Sequence, residues 1–145
     1  MKNAVLSLAF VFIAGLGFSQ LNIESGAKVE FEKEVHDYGT LVQGEPAVYE
    51  FKFTNTGDKP LIISNCKGSC GCTVPQCEKA PIAPGQTSAV KVKYDTKRTG
   101  PINKSVTITS NAVNDPTKTV RIKGTVLAAS NGAPVLKDSG APVNK

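Results

Sequence analysis

Apolar and polar residues alternate along most of the chain between residues 29 and 126. In Ala47–Thr54, Tyr49, Phe51 and Phe53 alternate with Glu50, Lys52 and Thr54. In Ser88–Tyr94, Val90, Val92 and Tyr94 alternate with Lys91 and Lys93. Val106 and Ile108 alternate with Thr107 and Thr109, and Val120, Ile122 and Val126 with Arg121, Lys123 and Thr125. A period of two puts one set of side chains inward and leaves the other wet, the signature of a half-buried antiparallel strand. Val29–Phe31, Val35–Tyr38 and Leu61–Ser64 read as shorter strands of the same kind. No stretch carries a convincing helical period.

Turn residues punctuate these runs. Asn55-Thr-Gly-Asp-Lys-Pro60 follows the Phe51 strand, Ala83-Pro-Gly-Gln86 introduces the next, Thr99-Gly-Pro101 closes it, and 111–118 joins the last pair. Seven or eight short strands with turns at regular spacing predict an all-β fold, an immunoglobulin-like β-sandwich over residues 29–126. Tyr49, Phe51 and Phe53 then belong to the core, since they share one face of one strand.

The N-terminus breaks the pattern. Lys2 precedes an uncharged, mostly apolar run from Ala4 to Phe18, and the small residues Gly17 and Ser19 stand at −3 and −1 of a cleavage before Gln20. This has the form of a secretory signal peptide over residues 1–19 and is short for a membrane span. No cysteine follows the run, which disfavours a lipid anchor. The expected product is secreted or periplasmic, with a lead-in at 20–28 and a flexible tail at 127–145 rich in Ala, Gly, Pro, Asn and Ser.

Charge adds little. Seventeen Lys and Arg against twelve Asp and Glu give a net charge of +5, or +4 without Lys2. The basic residues are scattered over strand positions such as Lys91, Lys93, Arg121 and Lys123 and form no patch interleaved with aromatics, so no nucleic acid is expected.

The chemistry that the sequence can carry sits in one cluster. All four cysteines, Cys66, Cys70, Cys72 and Cys77, fall within Cys66-Lys-Gly-Ser-Cys-Gly-Cys-Thr-Val-Pro-Gln-Cys77. Four cysteines allow three pairings, and spacing alone does not choose among them. An oxidising compartment favours disulfides. The alternatives are a redox-active dithiol and a copper or zinc site built from Cys66, Cys70, Cys72 and Cys77, since thiolates suit both metals. The metal reading lacks further donors: His36 is the only histidine, Met1 is the only methionine, and the spacing is not the usual pair of pairs. No cofactor is expected. His36 and Asp37 are neighbours on a strand and point to opposite faces, so they read as a satisfied strand-end histidine beside a turn-forming Asp-Tyr-Gly rather than an acid–base pair. No nucleophile-elbow, zincin or P-loop pattern is present, and no enzyme is expected. Asn103-Lys-Ser105 fits a glycosylation acceptor, a pattern frequent by chance.

Six ordered segments carry a resemblance: His36-Asp-Tyr-Gly39, Phe51-Lys-Phe-Thr-Asn-Thr-Gly57, Pro60-Leu-Ile-Ile63, Ser69-Cys-Gly-Cys-Thr73, Pro81-Ile-Ala-Pro-Gly85 and Lys123-Gly-Thr-Val126. Together they resemble the exported bacterial family known as domain of unknown function 1573, over roughly Phe31 to Val126. The resemblance implies a sandwich similar to those of the major sperm protein and Hydin type, which mostly act as scaffold or interaction modules. That implies a fold and not an activity, and the expected product is a module for protein interaction or envelope structure with an unknown protein partner. It also implies that Cys70-Gly-Cys72-Thr73 is the recurrent element and that Cys66 and Cys77 are an added pair, bonded to each other. Such a bridge closes about a dozen residues and stabilises by roughly 3 kcal/mol. Cys70 and Cys72, at i and i+2, lie near the upper separation for a bond on an extended strand, and Gly71 permits a bend. The inner pair reads as a strained disulfide or a free dithiol.

Overall fold

The computed structural model describes residues 25–130; the signal-peptide expectation and most of the tail lie outside them. Eight strands fill that span: β1 (Val29–Phe31), β2 (Val35–Val42), β3 (Ala47–Asn55), β4 (Ile63–Gly68), β5 (Thr73–Gln76), β6 (Thr87–Tyr94), β7 (Gly100–Ser110) and β8 (Thr117–Leu127). They form two four-stranded sheets, ordered β1-β3-β6-β5 and β2-β8-β7-β4, with no helix among the described residues. This is an immunoglobulin-like β-sandwich. All pairings are antiparallel except β2 with β8.

The alternating pattern builds the core directly. Phe51, Phe53, Val90, Val92 and Tyr94 from the first sheet meet Ile102, Val106, Ile108, Val120, Ile122 and Val126 from the second, all buried. Each fully buried side chain of this size contributes about 1.5–3 kcal/mol. The polar partners face water, and Glu50 pairs with Lys91 across β3 and β6 at 3.2 Å.

Several boundaries differ from the sequence expectation. β2 runs on to Val42 because Gly39, at φ 65°, takes up a bulge between Asp37 and Thr40 against β8. That extra residue shifts the inward parity from His36 and Tyr38 to Leu41. Leu61 lies outside β4 and is buried through an isolated bridge to Ile82, while the strand itself runs through Cys66 to Gly68. Gly100 and Pro101 open β7 rather than form a turn, and Leu127 ends β8 rather than opening the tail.

Asparagine side chains hold the connections. Asn55 is fully buried; its amide donates to the carbonyls of Lys59 (2.7 Å) and Ile82 (2.9 Å), and its oxygen accepts from the amides of Gly57 (3.0 Å) and Lys28 (3.3 Å). Asn111 bridges Ile62 N–H and Pro60 C=O. The lead-in is packed as well: Ala27 is buried, and Asp58 accepts from Ser25 Oγ (2.8 Å) and Gly26 N–H (2.6 Å).

Candidate functional site

The cysteine segment lies at one side of the sandwich, where the chain passes from the second sheet to the first. Cys66 is in β4, the edge strand of one sheet, and Cys77 directly follows β5, the edge strand of the other. The two are disulfide-bonded with Cα atoms 6.4 Å apart. The bridge therefore ties sheet to sheet. The segment between them is two strands joined by a tight turn rather than a surface loop. No strand was expected at Thr73–Gln76, because it is short and contains Pro75.

The turn itself holds the inner pair, Cys70 and Cys72, also bonded, with Cα atoms 5.3 Å apart. Extended i, i+2 residues are separated by about 6.6 Å, so the chain bends here. Gly71 sits at the apex, exposed, with nothing within 4 Å of where a Cβ would stand. Thr73 N–H donates to Cys70 C=O (3.2 Å), closing the turn. Asp95 N–H donates to Cys72 C=O (2.9 Å), and Ser69 N–H to Ser105 C=O (2.8 Å), anchoring it to both sheets. Gly68 is required by close approach, because a Cβ there would collide with the Thr73 carbonyl.

The two bridges differ in their surroundings. Cys66 and Cys77 line a groove of about 410 Å³ between the sheet edges, shared with Ile63, Ser64, Asn65 and Gln76. Cys72 is only 4% exposed and borders a different hollow of about 680 Å³, beside Ala47, Val74 and Tyr94. Cys70 is partly exposed. The Thr73 hydroxyl, itself buried, lies 3.6 Å from Cys70 Sγ and 3.9 Å from Cys72 Sγ. Among the described residues no group of three or more His, Cys, Asp or Glu is arranged to hold a metal ion.

His36 lies at the opposite side of the molecule. Its ring stacks on Tyr49 (3.6 Å between centroids, 11° between planes) and meets Tyr38 edge-on at 4.6 Å. Asp37 points the other way and accepts from Gly39 N–H at 2.7 Å. The expected satisfied histidine is only half right, since Nδ1 is buried and has no hydrogen-bond partner among the described residues. Burial, and then the Lys33 ammonium, hold its pKa below 6.5. Tyr38 donates to Val92 C=O at 3.5 Å, and burial followed by Tyr49 pushes its phenol up to about 12. The cluster is an aromatic seam between sheets.

A further feature was invisible in the sequence: the way each sheet edge ends. β1 is three residues long, and Asn114 covers it by accepting from Val29 N–H (3.0 Å) and donating to Val29 C=O (2.8 Å). β2 is bulged, and the carboxylates of Asp37 and Glu45 accept from the amides of Gly39 and Val42. In β5 the Asp95-to-Cys72 hydrogen bond sets the ladder, so Thr73 and Pro75 face outward; Thr73 N–H is used in the turn and Pro75 has none. Among the described residues no side chain hydrogen-bonds to the backbone of β4.

No curated protein matches the chain. Among solved structures it is similar to a protein of unknown function from Porphyromonas gingivalis W83 (TM-score 0.63, 18% identity, 75% of this chain and 51% of that one), so it spans about half the length of that relative. It is also similar to the ASH/PapD-like domain 7 of human CEP192 (TM-score 0.61, 10% identity, 89% of this chain and 99% of that one). The VesB protease of Vibrio cholerae contains a similar unit (TM-score 0.54, 15% identity, 68% of this chain and 32% of that one). At these identities the likeness is one of fold. A family model described as protein of unknown function (DUF1573) matches residues 29–126, the sandwich from the start of β1 to all but the last residue of β8, and the chain belongs to that family.

Proposed function

We propose that this protein is an exported, non-enzymatic sandwich that binds a protein partner through the outer edge of β4, with both cysteine pairs oxidised. The observation that carries the reading is the contrast between edges. Three of the four are blunted, by an asparagine clamp, by a bulge with carboxylate caps, and by a proline. β4 keeps its backbone groups open beside the groove at Cys66 and Cys77, an arrangement suited to an added partner strand whose alternate side chains enter the groove. Two disulfides in so short a segment fit an oxidising compartment, in keeping with the N-terminal export pattern.

The test is a photo-crosslinking amino acid placed at Ser64, on β4, or at Thr119, on β8 two strands in from that edge, in cells of the native host, followed by fractionation. Adducts from position 64 but not 119, in the exported fraction, support the reading. Equal adducts from both positions, or protein confined to the cytosol, overturn it.

A further inference from the structure

The two disulfides are built for different tasks. We propose that Cys70–Cys72 is a thiol-exchange site, attacked at Cys70 Sγ by an external dithiol, while Cys66–Cys77 is a fixed tie. The inference rests on the oxidised state proposed above.

Three observations carry it. First, access is asymmetric within the inner pair: Cys70 is partly exposed at an open apex beside Gly71, whereas Cys72 is buried. Attack is thus directed at one sulfur, and the other is the leaving group. Second, the leaving sulfur departs toward a ready donor. A disulfide sulfur carries no proton, so the Thr73 hydroxyl is the donor in both of its contacts, and it can follow the charge onto a Cys72 thiolate. A hydrogen bond to the charged form favours that form, and a better leaving group departs faster. Third, opening this bond releases no strand. The turn keeps its backbone hydrogen bonds to Ser105 and Asp95, whereas Cys66–Cys77 is a covalent tie between the edge of one sheet and the edge of the other.

The step balances as follows. A thiolate of the dithiol attacks Cys70 Sγ, a mixed disulfide forms, the Cys70–Cys72 bond breaks, and its electron pair leaves on Cys72 Sγ, which takes up a proton. The second thiolate of the dithiol then attacks its own sulfur in the mixed disulfide and releases Cys70, which is protonated in turn. The dithiol is oxidised to a disulfide, and the protein gains two electrons and two protons.

The test uses the full oxidised chain. Dithiothreitol is raised in steps, free thiols are alkylated, and peptides are mapped by mass spectrometry. The expected intermediate carries label on Cys70 and Cys72 with Cys66–Cys77 intact and the β-sheet circular dichroism unchanged. Label appearing first on Cys66 and Cys77, or on all four together, overturns the proposal. Four free thiols before any reductant is added would instead refute the oxidised state on which both readings rest. A second arm assigns the attacked sulfur. With oxidised glutathione, Cys72→Ser, which leaves Cys70, is expected to form the mixed disulfide at least about tenfold faster than Cys70→Ser. Equal or reversed rates overturn the assignment to Cys70. Thr73→Val in the Cys70→Ser chain is expected to raise the Cys72 thiol pKa, read from the pH dependence of alkylation; an unchanged profile removes Thr73 from the step.

Discussion

Replacing Cys66 and Cys77 by serine tests whether the outer bridge is the one that holds the fold. The bridge joins residues 11 apart in sequence and so closes a loop of twelve residues. In the chain-entropy description that loop removes roughly 9.5 cal/mol/K from the unfolded ensemble, or about 2.8 kcal/mol at 25 °C. Cys70 and Cys72 close three residues, for which the same expression gives about 1.6 kcal/mol. Cys66, Cys70 and Cys77 pack against the core and Cys72 lies within it, so substitution costs contacts in either pair, and Cys66 also belongs to a strand with a single sheet neighbour. The Cys66→Ser/Cys77→Ser chain should therefore lose at least about 2.8 kcal/mol, lowering the unfolding midpoint by roughly 10–20 °C for a domain of this size. Cys70→Ser/Cys72→Ala, the alanine keeping a hydroxyl out of the buried position 72, should lose about half as much from loop closure. Urea unfolding of the three oxidised chains followed by circular dichroism, at one pH, gives the comparison. A larger loss from the inner pair, or a loss below about 1 kcal/mol from the outer pair, would refute the division of roles.

Three further outcomes follow from polar side chains, one buried, one partly buried and one exposed but hydrogen-bonded. Asn55→Ala leaves two carbonyls and two amides without their partner and should cost about 3–4 kcal/mol in urea unfolding, far more than its place in a turn suggests; a loss under 1 kcal/mol would contradict the hydrogen-bond assignment. His36 has a folded pKa below 6.5, so the unfolded chain takes up the proton first, and stability present above pH 6.5 is lost as pH falls toward the folded value. Urea midpoints between pH 8 and pH 5 should show this loss, and His36→Phe should flatten it. The Ser25 hydroxyl first, and then the Gly26 amide, hold the Asp58 pKa below the usual carboxylate value, so its contribution is present above that value and disappears as pH falls through the lowered one. Asp58→Asn should therefore speed amide exchange at Gly26 at neutral pH and leave the acid limit unchanged.

The sandwich was legible because a two-residue period reports burial directly. Phe51, Phe53, Val90, Val92, Tyr94, Val106, Ile108, Val120, Ile122 and Val126 are all buried, as the alternation requires. What the alternation does not encode is the neighbour of each strand. The parallel partnership of β2 with β8 joins segments some eighty residues apart and leaves no local mark in either. β5 escaped notice because Thr73-Val-Pro-Gln76 has four residues, and proline argues against a central strand; it is an edge, where proline is tolerated. The asparagine clamps were hidden for a similar reason. Asn114 reads as a loop residue, and only the folded chain brings it to Val29, 85 positions away.

The cysteine segment and the open edge explain one another. A strand left free to accept a partner has neighbours on one side only, and β4 is weaker still, since its register with β7 shifts between Ile63 and Asn65. Such a strand frays unless something other than the ladder fixes it. The other edges are closed to partners, β1 and β2 by side-chain hydrogen bonds to their backbone and β5 by Pro75 and the turn hydrogen bond of Thr73. A covalent tie placed at Cys66, two positions beyond the shift, holds β4 from the side by its side chain and leaves the backbone groups of the edge unused. If that tie were the exchangeable bond, each reduction would release the docking strand. Under the proposed division, exchange confined to the Cys70–Cys72 turn leaves the edge in place, so two pairs can serve two tasks that one pair could not.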